Sequence, residues 1–334
     1  MVVSGSRSRQ TQSLALIGAP VEEGANVVGS ALGPSALRMT GLPRTLGKLG
    51  CEVIDYGDLR PAAAPELVTV YSGERTRKPA EAARWVAALS EAAYELSRGG
   101  RVPVFLGGDH SLAMGTIDGI ARAYAEKKNE LFVLWLDAHP DFNTPATSPS
   151  GNLHGMSLAF LCGESGFEPV FGVPAHEAVD TGKVYLLGIR SYDVGERERL
   201  RRRGVNLADM REIEQRGVAV SMRRILKTVA EDDGVLHVSL DADFVDPAFI
   251  PAVNVPVPGG ITYAQARLIM QMLKRSGLVV SLDVAELNPL LDADGRSARA
   301  VAELVACLFD RKSESHHDHS RRKNRYNYDA AQVH

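Results

Sequence analysis

Seven short apolar segments recur along the chain, with amphipathic segments between them. The apolar segments are nearly continuous and do not alternate polar with apolar residues, a pattern typical of strands buried on both faces of a parallel sheet. We therefore predict strands at residues 14–18, 51–56, 102–107, 131–137, 184–188, 235–241 and 279–283.

Two of the intervening segments show helical periodicity most clearly. Residues 79–98 carry apolar side chains every three or four positions, from Ala83 to Leu96. Residues 262–276 repeat the pattern and stop at Gly277, a residue typical of helix C termini. Strands that alternate with helices predict an α/β fold with three layers, α/β/α, around a central, mostly parallel sheet.

The two ends of the chain differ in composition from the region between them. Residues 1–13 are mostly polar, and residues 311–334 combine many charges with few aliphatic side chains. We predict a polar N-terminal extension at 1–13, a single domain at 14–310, and a polar, flexible C-terminal tail at 311–334.

Composition and charge narrow the class of protein. The chain has 38 Lys and Arg against 41 Asp and Glu, a formal net charge of -3, which argues against nucleic acid as a partner. No run of about 18 apolar residues suggests a membrane span. The three cysteines, Cys51, Cys162 and Cys307, are too far apart for a CxxC pair, and no secretory signal is evident. These features predict a soluble enzyme or binding protein in the cytoplasm.

Acids and histidines follow five of the predicted strands directly. The strand-end segments are GDHS at 108–111, DAHPD at 137–141, RSYDVGE at 190–196, DAD at 241–243 and AELNP at 285–289. In parallel α/β sheets the carboxyl ends of the strands form the ligand-binding edge, so we expect these side chains to meet there. Several buried negative charges at one edge call for cations.

The spacing of these residues indicates what they bind. Asp137, His139 and Asp141 are two residues apart, so in an extended chain their side chains point the same way, and Asp241 and Asp243 repeat this spacing. Together with His110 they offer two imidazoles and four carboxylates, enough for two divalent cations. A donor set without thiolate favours a hard ion such as Mn²⁺ over a structural zinc. A single DxD would more simply be a turn; two such motifs after apolar strands are harder to explain that way.

Six motifs then resemble a known superfamily in the order in which they occur. They are GGDHS, DAHPDFNTP, SGNLHGM, SLDADFVDP, PVPGGITY and ELNP, spread over residues 107–289. The whole pattern is similar to the ureohydrolases and, among them, most similar to the arginases. The resemblance implies a hydrolase acting on linear amidines, with a binuclear Mn²⁺ centre whose bridging hydroxide converts L-arginine into L-ornithine and urea.

The resemblance also implies roles for individual residues. Asp141 and Asp241 match acids to which we assign bridging positions, and Asp141 also takes up a proton. His154 matches a mobile histidine that acts as a proton shuttle, and Glu286 matches the carboxylate that holds the guanidinium. The full implied set of metal ligands is His110, Asp137, His139, Asp141, Asp241 and Asp243.

The other end of the substrate separates arginases from agmatinases. Arginine carries an α-carboxylate and an α-ammonium, whereas agmatine lacks the carboxylate. The arginase pattern is matched on the carboxylate side by Asn143, Ser150 and Asn152, and on the ammonium side by Asp193 and Glu196. Taken as a set, these residues favour arginase over an agmatinase or another guanidino-compound hydrolase, which remain alternatives.

One position departs from the family pattern. Relatives have Gly-Thr before the PVxGG motif, with the threonine hydroxyl near the guanidinium-binding glutamate, whereas this chain has Asn254-Val255. Losing a polar contact in a site costs about 1–3 kcal/mol, so we expect altered preference or reduced turnover. A weakly active or regulatory homologue is therefore a further alternative; a metal-storage protein would have no use for His154 and Glu286.

Two other polar segments have simpler explanations than a site. The stretch 197–203 is rich in arginine, and we interpret it as a solvated helix face, with a subunit contact as the alternative because relatives form trimers or hexamers. The tail histidines His316, His317 and His319 could hold a metal, but surface histidines in a solvated tail explain them more simply.

Overall fold

The computed structural model describes residues 12–62, 76, 78–171 and 177–310. In these residues eight strands form one sheet, and every strand pair in it is parallel. The strands are β1 Ser13–Ala19, β2 Glu52–Asp58, β3 Val102–Gly107, β4 Leu131–Leu136, β5 Val184–Leu187, β6 Asn206–Ala208, β7 Val235–Asp241 and β8 Val279–Ala285. Their order across the sheet is β2-β1-β3-β8-β7-β4-β5-β6.

Helices cover both faces of this sheet, as the alternating pattern predicts. Within the described residues they are α1 Gly33–Met39, α2 Leu42–Lys48, α3 Pro79–Arg98, α4 Leu112–Glu126, α5 Ser157–Leu161, α6 Glu168–Phe171, α7 Glu196–Arg203, α8 Met210–Arg216, α9 Val218–Glu231, α10 Tyr263–Ser276 and α11 Arg296–Phe309. The three-layer α/β/α class is confirmed. None of the helices described is both long and apolar enough to cross a membrane.

Alternate residues of each central strand face opposite helix layers. In β4, Leu134 and Leu136 pack with α9, α10 and α11, whereas Val133 and Trp135 pack with α4 and α5. All four side chains are fully buried. Because both faces of the strand are covered, all of its side chains are apolar and the sequence shows no alternation of polar and apolar residues.

Local signals set the ends of helix α10. The Thr262 hydroxyl accepts a hydrogen bond from the backbone N–H of Gln265, and the Gln265 side chain accepts one from the N–H of Thr262, forming a capping box. At the other end Gly277 has φ 68°, a left-handed conformation that glycine adopts without strain. The predicted end at Gly277 is confirmed.

Two strands depart from the expectation. β2 was predicted to be buried on both faces, but it is an edge strand and several of its side chains are exposed. The short strand β6 on the opposite edge was not predicted, because three residues are too few to show periodicity. The other strand ends match the prediction or differ from it by one or two residues, as boundary assignments commonly do.

The arrangement of the strands positions the polar segments identified in the sequence. The five strands that they follow, β3, β8, β7, β4 and β5, are consecutive in the sheet. Their carboxyl ends therefore lie side by side, and the expected meeting of these segments at one edge is confirmed. Residues 1–11 and the tail beyond 310, with His316, His317 and His319, lie outside the described residues.

Candidate metal and active site

His110 lies at the centre of the first group of acids. Its Nδ1 is 3.0 Å from a carboxylate oxygen of Asp137, 3.0 Å from one of Asp241 and 3.3 Å from one of Asp141. The imidazole is fully buried, and Nδ1 makes no hydrogen bond of normal geometry. Its Nε2 lies 2.8 Å from the Ser239 hydroxyl. When Nε2 donates to Ser239, Nδ1 keeps its lone pair and is free to act as a metal ligand.

His139 belongs to a second group next to the first. Its Nδ1 is 3.0 Å from Asp243 and 3.6 Å from Asp137. One oxygen of Asp137 therefore faces His139 while the other faces His110, and both possible metal-binding groups, His110–Asp137–Asp141 and Asp137–His139–Asp243, include it. The assignment of bridging positions to Asp141 and Asp241 stays a prediction.

The electrostatics of the cluster fit a pair of cations. Burial, together with the charges of Asp243 and Asp137, raises the pKa of Asp241 well above the usual carboxyl range. Burial alone would lower the pKa of His139, but Asp243 and Asp137 outweigh it and raise that pKa to about 12. Buried carboxylates this close together need compensating positive charge, which protons or divalent cations can supply. The oxygen and imidazole donors suit a hard divalent ion.

Two residues that support the cluster were missed or misread in the sequence. Trp135 lies in the apolar segment 131–137, where packing alone would explain it, yet its ring stacks on His110 with centroids 4.1 Å apart, and its Nε1 donates to Asp137 at 2.9 Å. Ser239 was not assigned a role. Both side chains lie two residues before a cluster acid on the same strand, so the i, i+2 rule already placed them on the side that faces the site.

Glu286 and His154 form a pair beside the cluster. His154 Nδ1 is 2.8 Å from Glu286 Oε1, and the same oxygen accepts the backbone N–H of His110 at 2.8 Å. Burial alone would lower the pKa of His154, but the neighbouring Glu286 raises it to about 9. Glu286 has φ 63° and Asp141 has φ 48°, conformations that cost free energy in non-glycine residues and are often found at functional sites.

Asn254 contacts the same carboxylate from the other side. Its Nδ2 donates to Glu286 Oε2 at 3.0 Å, and its Oδ1 accepts from Asn288 Nδ2 at 2.7 Å. Asn288 is itself oriented, because its Oδ1 accepts the N–H of Leu290 at 3.0 Å. Asn254 thus gives Glu286 a hydrogen-bond donor, although position 255 carries no hydroxyl; the expected change in preference or turnover stays a prediction. Val255 lines the adjoining cavity.

The remaining predicted residues line the same cavity, which has a volume of about 360 Å³. Its wall includes the cluster and pair residues His139, Asp141, His154, Asp241, Asp243 and Glu286, together with Asn143, Ser150, Asn152, Asp193 and Glu196. His110 and Asp137 lie behind this wall. The structure thus gathers both predicted sets of residues around one cavity.

Glu196 differs from the other residues of this second set. It is buried, its Oε1 accepts the N–H of Phe142 at 2.9 Å and its Oε2 accepts the N–H of Asp193 at 3.0 Å. Burial raises its pKa to about 7. Both carboxylate oxygens of Glu196 thus accept hydrogen bonds from the backbone and fix the loops at Phe142 and Asp193. The side chain of Asp193, in contrast, is exposed to solvent.

Comparisons with known proteins agree with this geometry. The family model described as "Arginase family" matches residues 12–310. The chain is 48% identical to an arginase of Brucella melitensis over 296 residues, covering 89% of this chain and 95% of that one. It is 46% identical to an arginase of Agrobacterium fabrum over 314 residues, covering 93% and 95%. The structure of an arginase from Bacillus caldovelox matches with a TM-score of 0.82 and 34% identity, covering 90% and 99%.

Proposed function

This chain belongs to the arginase family, and on that premise we propose that it hydrolyses L-arginine to L-ornithine and urea with two bound manganese ions. One observation carries the proposal: the cluster of two imidazoles and four carboxylates borders the same cavity as the Glu286–His154 pair. An amidine hydrolase needs both parts, one to generate a nucleophile and the other to hold a guanidinium over it.

Six residues would hold the metals. The ligands we assign are His110, Asp137, His139, Asp141, Asp241 and Asp243. When bound, the pair would lower the pKa of water, so that a nucleophile exists at neutral pH, and would stabilise negative charge on the attacking oxygen. The protein's own part is to fix these donors, which Trp135 and Ser239 do through Asp137 and His110.

Glu286, His154 and Asp141 would carry out the steps that depend on side chains. Glu286 binds the planar guanidinium by charge-assisted hydrogen bonds, and Asn254 holds Oε2 of Glu286 in place. Asp141 accepts the proton that the attacking water loses and delivers it to the leaving nitrogen. His154, at the cavity wall, then exchanges protons with solvent. Because Glu286 holds the guanidinium carbon in place, attack by the nucleophile on that carbon becomes effectively unimolecular.

The far end of the cavity favours arginine over agmatine. We assign the α-carboxylate to Asn143, Ser150 and Asn152, which offer neutral donors, and the α-ammonium chiefly to the exposed acid Asp193. Glu196 contributes at this end by holding the Asp193 backbone. Agmatine has an ammonium but no carboxylate, so the three neutral donors would have no partner in that substrate.

The assignment is tested by measuring urea release from L-arginine, agmatine and other guanidino acids with Mn²⁺ present. We expect L-arginine to be the preferred substrate, chelation to abolish its turnover, and Mn²⁺ to restore it. A protein that releases urea from agmatine faster than from L-arginine would be a sister hydrolase. A protein that binds metal but releases no urea from any of these substrates would be a regulatory homologue.

Asn254 offers a separate test of how Glu286 is held. Asn254→Ala removes the donor to Glu286 Oε2, and we expect kcat/KM for L-arginine to fall about 10- to 100-fold, the effect of losing a hydrogen bond to a charged group. The double change Asn254→Gly with Val255→Thr reintroduces the pattern of the relatives and should recover most of the loss. Asn129→Ala, at an exposed position, is the matched control. Wild-type kcat/KM in Asn254→Ala would contradict this role.

We further propose the setting in which this enzyme works. We propose a cytoplasmic enzyme, and the likeness to arginases favours a homo-oligomer, a trimer or hexamer. We propose residues 14–310 as one domain, flanked by the polar segments 1–13 and 311–334. Light scattering of the full chain would measure the oligomer directly.

A further inference from the structure

Arg199 departs from the rest of the basic stretch 197–203. Most of that stretch agrees with a solvated helix face: Arg197 pairs with Asp209 at 3.2 Å, and Arg201 pairs with Glu198 on the same helix, with both arginines well exposed. Arg199 instead turns inward from α7. Its Nη1 donates to the carbonyl oxygen of Phe142 at 3.1 Å and to the hydroxyl of Thr147 at 2.9 Å. An arginine that the sequence placed on the surface therefore contacts the loop that carries Asn143.

The Thr147 hydroxyl receives a second donor as well. It accepts the backbone N–H of Thr144 at 2.9 Å. A hydroxyl oxygen has two lone pairs, and Arg199 and Thr144 use both. The hydroxyl proton then needs an acceptor. Oδ1 of Asn143, at 3.1 Å, is nearer than the hydroxyl of Thr144 at 3.3 Å or its carbonyl oxygen at 3.5 Å.

This fixes which way the Asn143 amide faces. With Oδ1 accepting from Thr147, Nδ2 faces Asp193 and donates to its Oδ2 at 2.7 Å. The reverse orientation would bring the amide oxygen against a carboxylate oxygen at that distance, which is repulsive. The amide nitrogen carries a second hydrogen, and Asn143 lies in the cavity wall. An amide in this orientation keeps one hydrogen for a further acceptor.

We propose that Arg199 is a positioning residue that sets specificity for the amino-acid end of the substrate: through Thr147 it locks the Asn143 amide in the orientation that binds an α-carboxylate. The inference rests on the proposed function, since it concerns the same cavity. Arg199 lies behind the cavity wall and acts through Thr147 without touching the ligand. Its permanent charge makes its hydrogen bond stronger than a neutral donor would, which suits a fixed orientation.

Two single variants test the relay. Arg199→Met keeps the aliphatic stem and removes the donors, and Thr147→Val keeps the shape and removes the hydroxyl. In each we expect KM for L-arginine to rise about 10-fold with kcat nearly unchanged. The dissociation constant of L-ornithine, measured by calorimetry, should rise by a similar factor. The inhibition constant of agmatine should change by less than about 2-fold, because agmatine has no carboxylate. Arg201→Met removes the same charge from the same helix and should behave like wild type.

The double variant separates a relay from two independent contributions. If Arg199 acts through Thr147, then Arg199→Met combined with Thr147→Val is no worse than Thr147→Val alone. Arg199→Lys should recover part of the loss, because both hydrogen bonds leave a single nitrogen of the arginine.

Several outcomes would overturn the inference. Unchanged L-arginine KM and L-ornithine binding in Arg199→Met would do so, as would equal weakening of agmatine, which would indicate a general loss of structure. Fully additive losses in the double variant would contradict the relay. If the wild type itself releases no urea from L-arginine and binds no L-ornithine, the proposed function fails. If the wild type does both and the variants equal it, the proposed function stands and only the role of Arg199 fails.

Discussion

Replacing Asp137 with asparagine is expected to lower kcat/KM for L-arginine by at least about a thousandfold, the equivalent of several kcal/mol of lost metal-dependent stabilisation. Asp137 is the acid that both metal-binding groups share, with one oxygen near each imidazole. An asparagine amide is neutral, so at this position it would be a weaker ligand for a hard divalent ion than the carboxylate. We expect bound Mn²⁺ to fall below two per chain, measured by elemental analysis after dialysis.

A surface change of the same kind provides the control for Asp137→Asn. Asp232 is exposed at the end of α9, and Asp232→Asn should leave turnover and metal content as in the wild type. Thermal unfolding of both variants with and without Mn²⁺ distinguishes a lost site from a lost fold, because metal bound to the native state raises the midpoint. An Asp137→Asn protein that keeps two Mn²⁺ and full activity would rule out the proposed centre.

His154→Asn is expected to reduce kcat by about 100- to 10,000-fold, the usual contribution of a positioned acid–base group. His154 belongs to neither metal-binding group, so Mn²⁺ content should not change. Asparagine can still reach Glu286 with a hydrogen bond but cannot carry a proton near neutral pH. The measurement is kcat for urea release together with elemental analysis.

Chemical rescue sharpens the test of His154. Free imidazole added to His154→Asn should restore part of the rate, because a small diffusible acid–base group can enter the open end of the cavity. The same addition should not help Asp137→Asn, whose defect is in metal binding. Turnover equal to the wild type in His154→Asn would remove the proton-shuttle role and leave Glu286 with binding alone.

Much of the fold followed from the linear pattern because the central strands are covered on both faces. β3 and β7 occupy the predicted residues, and α3 spans 79–98 as expected. The pattern failed at the edges of the sheet, where β2 is partly exposed and β6 is short. An edge strand lacks one neighbour, so its sequence is freer to include polar residues and carries a weaker signal.

The candidate site followed from the sequence as a set of residues but not as a set of contacts. The i, i+2 spacing is local, so it identified Asp137, His139 and Asp141 as neighbours without any fold. Which acid lies between the imidazoles depends on the relative positions of β3, β4 and β7. Their order came only with the sheet.

The sequence by itself determined the fold class and predicted the ligand types and a hard divalent metal, because strand periodicity and donor chemistry are properties of adjacent residues. The tertiary structure alone decided that Asn254 holds Glu286, that Ser239 anchors His110 across 129 residues, and that Arg199 faces inward. Hydrogen bonds act over about 3 Å. Only folding brings such distant parts of a chain within that range, so the local sequence does not predict which of them pair.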